Sequence, residues 1–463
     1  MPNKLGHLAV NTQTPLVRLR GDVAGVSRDG VLPLDRLRRG EQYRFTAGGV
    51  TRMLLPLLER WVDEGVARDP EWFSMAAAPS PALAHRGVIL RFIEVPEVVR
   101  RRYARAKESL WQVLNGLPEA PPDPAVFAGP RANDWEGFVA YNGASAAAIA
   151  RRGREDPFGL HYVNDFQQML VGGALDDAPS VFHLHTPFTE EIPETWRRFF
   201  AGHLSPYASV VVSTDRYARV LAASGYAGRI ARVYPFLDPA GYPEPSPKEV
   251  EEFSARFGIA PSDRVLLAVA RMDPMKGQDR LVKAMPAILA REPRARLVLV
   301  GNGSFSSSTK GGLGLSKGQK WRAHLEALAD ALGVRSRVTF TGHVATRDIP
   351  AAYGRADVAA LPSLREGFGL AVVEAWLYGK PVVVSAGAGI AELVRDGSNG
   401  FVVDPANADA LADVVCEIFA DASLADALGR GGLATTSAVT VDEGSRALAR
   451  ALDRSREVVP RVS

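Results

Sequence analysis

From residue 264 onward the chain alternates short apolar runs with longer stretches of helical period. RVLLAVARMD (264–273), ARLVLVGNG (295–303), RVTFTGHV (337–344) and DVAALPSL (357–364) have strand length and strand composition, and polar or glycine-bearing turns close them. Between them, QDRLVKAMPAILARE (278–292), KWRAHLEALADALG (320–333) and TRDIPAAYGRA (346–356) place apolar residues at helical spacing. FGLAVVEAWLYG (368–379) reads as a helix with Gly379 as C-cap and Pro381 just beyond. Strands KPVVVSA and GFVVDP and a helix ADALADVVCEIF complete the series. Strand–helix alternation of this kind predicts an α/β fold with a doubly wound parallel sheet.

The first half is less regular. Strands are expected in 87–95, 159–165, 179–188 and 208–215, and TAGGVTRMLLPLLERWVDEG (46–65) reads as a glycine turn opening an amphipathic helix. The proline-rich stretch 234–250 marks a linker. At 463 residues the chain exceeds one hydrophobic core. It is read as two α/β domains, 1–240 and 241–440, with a final helix in 441–463. Ser-, Gly- and Lys-rich residues 304–320 interrupt the second domain directly after a strand; a lid over substrate and a disordered surface insertion are both open readings.

Composition narrows the classes. The net charge is +3, with 55 basic and 52 acidic residues interspersed, which argues against nucleic acid as a partner. Cys416 is the single cysteine, so no internal disulfide forms, and its apolar helical run reads as core. No run of 18 apolar residues suggests a transmembrane segment, and the N-terminus lacks the pattern of a signal peptide. The expected location is the cytoplasm. Residues 98–111 form a basic helix that reads as a solvated face, with acidic lipid as the other reading.

The chemistry concentrates in two segments. Glu366 sits in the turn between a strand and a helix, and Glu374 lies about two turns into that helix. A helix that opens at the carboxyl end of a parallel strand directs free backbone N–H groups at an anion. A carboxylate there would repel a phosphate, so both acids suit hydroxyls. Arg271 and Lys276, on the turn after the domain's first strand, suit a diphosphate. An anion site flanked by hydroxyl-accepting carboxylates describes a nucleotide sugar. The amides of Gly367, Phe368, Gly369 and Leu370 join this donor site, with Val344 at the end of the neighbouring strand. Gly48 and Gly49 allow a phosphate to approach the first domain's helix.

EGFGLAVVE (366–374) resembles the E-x7-E signature of retaining glycosyltransferases of the GT-B fold, the GT4 family above all. RMDPMKG (271–277) resembles that family's R-x4-K pair and the RLDYxKG pattern of trehalose-6-phosphate synthases. YARAKESLWQVLNG (103–116), WEGFVAYN (135–142), YVNDFQQML (162–170) and FHLHTPFT (182–189) are similar to segments of those synthases. Asn164 stands where they have His, and EGFG replaces their D-G-x-N. The resemblance implies two Rossmann-like domains facing across a cleft, with the last helix crossing back to the first domain. It implies that Glu366 holds the donor sugar, Glu374 the ribose, and Arg271 and Lys276 the departing diphosphate. It places Asp165 near the reacting carbon and His185 on the sugar hydroxyls. From the residues alone, Asp165 also fits a helix N-cap and His185 a satisfied strand-end histidine.

The expected activity is retaining, metal-independent transfer of a hexosyl-type sugar to a small hydrophilic acceptor. The nucleotide sugar is co-substrate, no cofactor or metal is required, and a homodimer is compatible. The alternatives are a nucleotide-sugar epimerase and a non-catalytic nucleotide-sugar-binding protein of the same fold.

Overall fold

The computed structural model describes residues 5–20, 30–46, 49–76, 80–303 and 315–456. The chain divides into two compact units, Met1–Pro235 with Val441–Ser463, and Phe236–Thr440.

In the first unit the strands are β1 (Gly6–Asn11), β2 (Val17–Leu19), β3 (Val31–Pro33), β4 (Tyr43–Phe45), β5 (Ala67–Ala76), β6 (Ala82–His85), β7 (Val88–Glu94), β8 (Leu160–Asn164), β9 (Ser180–Leu184), β10 (Ser209–Val212) and β11 (Arg229–Arg232). The helices are α1 (Gly49–Asp63), α2 (Glu97–Asn115), α3 (Ala132–Gly153), α4 (Glu194–Leu204) and α5 (Asp215–Ala223). The main sheet runs β11-β10-β9-β8-β1-β5-β7-β6-β3, and only β6–β7 is antiparallel. β2 and β4 form a separate antiparallel ribbon. β8, β9 and β10 are covered on both faces and have no exposed residue, and their buried polar side chains, His161, Asn164 and His183 among them, take hydrogen bonds within the sheet.

One face of this sheet carries an aromatic-rich core under α2 and α3. Trp135 stacks between Phe127 and Phe138 at 4.9 and 5.1 Å, and Tyr141 lies 4.2 Å from Tyr103 and accepts a bond from Gln168. Trp135 and Tyr141, which match the synthase segments, are core residues. The arginines of α2 are committed to acids: Arg100 and Arg101 to Glu97, Arg102 to Glu136, Arg105 to Asp134. This fits the solvated-face reading of the basic helix.

In the second unit the order is α6 (Pro247–Arg256), β12 (Arg264–Val269), α7 (Gln278–Arg291), β13 (Ala295–Val300), α8 (Leu315–Ala331), β14 (Val338–Gly342), α9 (Ile349–Arg355), β15 (Val358–Leu361), α10 (Leu370–Leu377), β16 (Val382–Ser385), β17 (Phe401–Val403), α11 (Ala408–Ala420) and α12 (Ala422–Thr435). Its sheet is entirely parallel, ordered β14-β13-β12-β15-β16-β17. The closing helix α13 (Val441–Asp453) belongs to the first unit, where Ser445 Oγ accepts from Trp61 Nε1 at 2.8 Å.

Both sheets share one logic. Strand order reverses between β1 and β8 in the first unit and between β12 and β15 in the second. At such a reversal the following connections leave to opposite sides, opening a crevice at the carboxyl ends of the strands.

Several elements differ from the sequence reading. β1, β5, α3 and α12 were not anticipated as elements, although β1 is central to its sheet. Glu374 is the fifth residue of α10, little more than one turn in, because the helix begins at Leu370, after Gly369, and not at Phe368. Residues 304–314 of the Ser/Gly-rich segment lie outside the described residues. Leu315–Lys320 is helical rather than loop, and a Cβ at Gly318 would stand 2.7 Å from Gly303 Cα.

Candidate active site

The second unit's crevice is built by the turns after β12 and β15. In RMDPMKG each residue has a local task. Asp273 Oδ1 accepts from Met275 N at 3.1 Å and caps the turn that Pro274 opens. Gly277 is left-handed (φ 65°), and a Cβ there would lie 2.1 Å from Pro362 O in the turn after β15. Leu364 N donates to Met275 O at 2.9 Å, tying the two turns together. Lys276 and Glu366 are thereby brought within reach, and they form an ion pair.

Glu366 also accepts from Ser363 Oγ at 3.3 Å. Burial alone would raise its carboxyl, but Lys276 and the nearby Arg271 more than offset this and hold it below the usual carboxylate range. Burial lowers the Arg271 guanidinium, with Asp273 and Glu366 acting the other way. The Arg271 carbonyl is fixed by Gln278 Nε2 at 2.7 Å, and Gln278 in turn accepts from Trp321 Nε1 at 3.0 Å.

Gly367, Phe368 and Gly369 lead into α10 along the strand-like segment after β16. Ile390 N donates to Phe368 O at 2.7 Å, and Gly389 N to Glu366 O at 3.1 Å. Gly369 has φ 116°, and a Cβ would stand 2.6 Å from Leu361 Cδ2, so only glycine fits. Leu370 is the first residue of α10, whose opening N–H groups have no partner within the helix.

Glu374 is 5% exposed. Tyr242 donates to its Oε1 at 3.1 Å and Tyr353 to its Oε2 at 3.0 Å. The structure thus brings Arg271, Lys276 and Glu366 together and sets Glu374 on the adjoining helix. Val344 is buried beyond the end of β14, two strands from β12, or about 10 Å by sheet spacing. Gly48 lies outside the described residues, and Gly49 is the first residue of α1.

The first unit's crevice holds Asp165 and His185, at the ends of β8 and β9. Asp165 has φ 68°, uncommon for a residue with a side chain. Its Oδ1 accepts from Thr186 Oγ1 at 3.1 Å and from His185 N at 3.3 Å. It makes no side-chain cap to the following turn, which removes the N-cap reading. Burial pushes the Asp165 carboxyl up against these hydrogen bonds. Burial also pushes the His185 imidazole down to about 3.

Sequence reasoning missed the supporting residues. Tyr242, Tyr353 and Ser363 hold the two glutamates, His183 lies beside His185, and Tyr162 holds His183. No spacing rule marks them, because each comes from a separate element. The His at every second position in FHLHTPF was the one readable signal for His183.

Among the described residues no group of His, Cys, Asp and Glu could hold a metal ion, and no helix is long and apolar enough to cross a membrane.

Both units thus carry a Rossmann-like sheet with polar groups gathered at its switch point. Residues 249–434 match the family Glycosyl transferases group 1. The chain is 33% identical over 228 residues to the GDP-mannose-dependent alpha-(1-6)-phosphatidylinositol monomannoside mannosyltransferase of Mycobacterium tuberculosis, covering 48% of this chain and 54% of that one. It therefore spans about half the length of that relative. A D-inositol 3-phosphate glycosyltransferase of Xylanimonas cellulosilytica is 29% identical over 388 residues, 80% of this chain and 88% of that one. A solved structure of the trehalose-6-phosphate protein from E. coli, bound with UDP-2-fluoro glucose, superposes with a TM-score of 0.74 at 16% identity, covering 98% of this chain and 100% of that one. The fold is GT-B, as the sequence motifs implied, and the match to glycosyl transferases group 1 lies within the second unit.

Proposed function

We propose that this protein is a retaining, metal-independent glycosyltransferase that moves a hexosyl-type sugar from a nucleotide diphosphate sugar to a small hydrophilic acceptor. The observation that carries the reading is the convergence of Arg271, Lys276 and Glu366 at the β12/β15 switch point. Two cations and one acid kept as a carboxylate suit a group that is anionic at one end and hydroxylated at the other.

On this reading the second unit takes the donor. Arg271 and Lys276 hold the diphosphate, with the opening amides of α10 beside them. Glu366 accepts the sugar hydroxyls, and Glu374, oriented by Tyr242 and Tyr353, accepts from the ribose. The first unit takes the acceptor, with Asp165 and His185 at the sugar end. As the bond from the anomeric carbon to the β-phosphate oxygen breaks, the electron pair stays on that oxygen. The two cations stabilise the charge. The acceptor oxygen attacks the same face of the sugar and gives its proton to the leaving phosphate, so configuration is kept.

The test is incubation with a panel of nucleotide sugars, GDP-mannose and UDP-glucose among them, and with inositol phosphates and sugar phosphates as acceptors. Nucleoside diphosphate release and the anomeric configuration, followed by NMR, are the readouts. A product of the donor's own configuration, formed equally well in a chelator, is expected. An inverted product or a metal requirement would overturn the mechanism, and no turnover with any donor would overturn the enzyme reading.

A further inference from the structure

The hydrogen bonds around His185 fix its tautomer. Asn164 Nδ2 donates to Tyr162 O at 3.3 Å, which sets the amide so that Oδ1 faces His185. His185 Nε2 lies 3.0 Å from that Oδ1. An amide oxygen only accepts, so Nε2 carries the proton and Nδ1 keeps an open lone pair.

Beneath His185 lies a second imidazole, which the proposed reaction leaves unused. The His183 ring is 3.9 Å from that of His185, tilted by 32°. His183 is fully buried, and Tyr162 Oη stands 2.6 Å from its Nδ1. His183 Nε2 has no hydrogen-bond partner among the described residues. If Tyr162 donates to Nδ1, one buried donor at Nε2 is left unpaired. If His183 donates to Tyr162 instead, both the phenol proton and the Nε2 lone pair are left unpaired. The first arrangement leaves fewer buried groups unmet. A buried nitrogen left unpaired beside a candidate site residue calls for a physical reason.

We propose that His183, held by Tyr162, is a positioning residue: it is the platform that holds the His185 ring in place while Asn164 keeps the proton on Nε2, so that Nδ1 accepts a hydrogen bond from a hydroxyl of the sugar substrate. This rests on the glycosyltransferase reading for the substrate, while the tautomer rests on the geometry alone. It makes His185 an acceptor and excludes it as a proton donor to the leaving group. The ionisable groups facing His185 are Asp165 at the end of β8, His183 below it, and Tyr162 behind His183. Burial keeps His183 well below its ordinary value and the Tyr162 phenol well above its own, so neither charges near neutrality.

Two measurements on the full-length protein test this separately from turnover. The first is a 15N–1H NMR titration of histidine-labelled protein, assigned with His185→Gln. The expected result is an uncharged His185 with Nε2 protonated from pH 5 to 8. Titration of His185 within that range, or a proton on Nδ1, would overturn the proposal whether or not transfer is observed.

The second compares His183→Ala with His183→Phe. The alanine variant loses the platform, so His185 gains solvent and its titration moves toward the ordinary value near about 6.5. Transfer should then fall on the order of tenfold in kcat with little change in KM, and a new acid limb should appear. Phenylalanine restores a ring to stack on and should return the flat pH profile. Equal damage in both variants at unchanged melting temperature, or no change in either, would sink the platform role. If the wild-type protein turns over no donor, the glycosyltransferase reading fails while the NMR result still decides the tautomer.

Discussion

Lys276 and Glu366 face each other directly, so the ammonium keeps the carboxylate ionised and each side chain aims the other. On the proposed reading that pairing orients the ammonium before a donor arrives, and a phosphate then competes with a carboxylate for the same cation. Lys276→Ala is expected to lower kcat/KM on the order of 10²-fold, as loss of one charge-stabilising donor typically does. Glu366→Gln should leave nucleoside diphosphate binding intact or tighter, because Lys276 is released, while weakening the intact nucleotide sugar. Thermal shift with the diphosphate and with the sugar nucleotide, compared side by side, checks this. A ligand at about 100 times its Kd adds about 2.7 kcal/mol of stability. Equal loss of both ligands in Glu366→Gln would count against its place on the sugar.

At the scale of elements, close backbone contacts determine where these side chains stand. Gly277 links the turn after β12 to the turn after β15, with no room for a Cβ beside Pro362 O. Gly277→Ala should destabilise by at least about 1–2 kcal/mol from its left-handed backbone alone. It should also weaken donor binding by pulling Lys276 from Glu366, as calorimetry on the variant would show. The first unit has a separate charged knot joining β1, β5, β7 and α3. Burial would raise Glu71, yet bonds from His7 and Arg91, with Arg152 close by, hold it at about 2. A depressed carboxylate stabilises the folded state above its unfolded value of 4.5, and that stability is lost as pH falls toward about 2. The contribution at neutral pH is on the order of 3 kcal/mol. Glu71→Gln should therefore lower the melting temperature at pH 7 and flatten its fall between pH 4.5 and 2.

At the scale of the whole molecule, the first unit is not continuous in sequence. α13 packs on α1 within it, burying Leu448 and Leu452 completely and meeting Trp61 through Ser445. A chain ended at residue 440 should show a weakened first unit and an unchanged second one. Two buried leucines alone account for about 2–5 kcal/mol each. Scanning calorimetry, with the nucleotide used to mark the second unit's transition, separates the two. A fall in that marked transition instead would contradict the division into units.

The sequence by itself determined most of the second unit's elements, α6 and α12 excepted, and the residue types of its candidate site. Its strands are short and buried on both faces, so they read as apolar runs, and amphipathic helices flank them. Arg271, Lys276, Glu366 and Glu374 were legible because each lies on one side of one strand–turn–helix step, where spacing along the chain is spacing in space. The first unit was less legible. β1 is a six-residue run with a histidine inside it, and its place at the sheet's centre comes from pairing with β5 and β8, 61–62 and 152 residues further on by register. Gly6 pairs with Ala67 and Val163 with Asn11, and no local pattern encodes either distance. The same holds for the residues that tune the site. Tyr242 and Tyr353 reach Glu374 across 132 and 21 positions, and Lys276 reaches Glu366 across 90. Local periodicity records which face of an element is buried, but not which element covers it. The order of strands at the two switch points, the neutral environment of His185 and the partners of each carboxylate were decided only when the sheets closed.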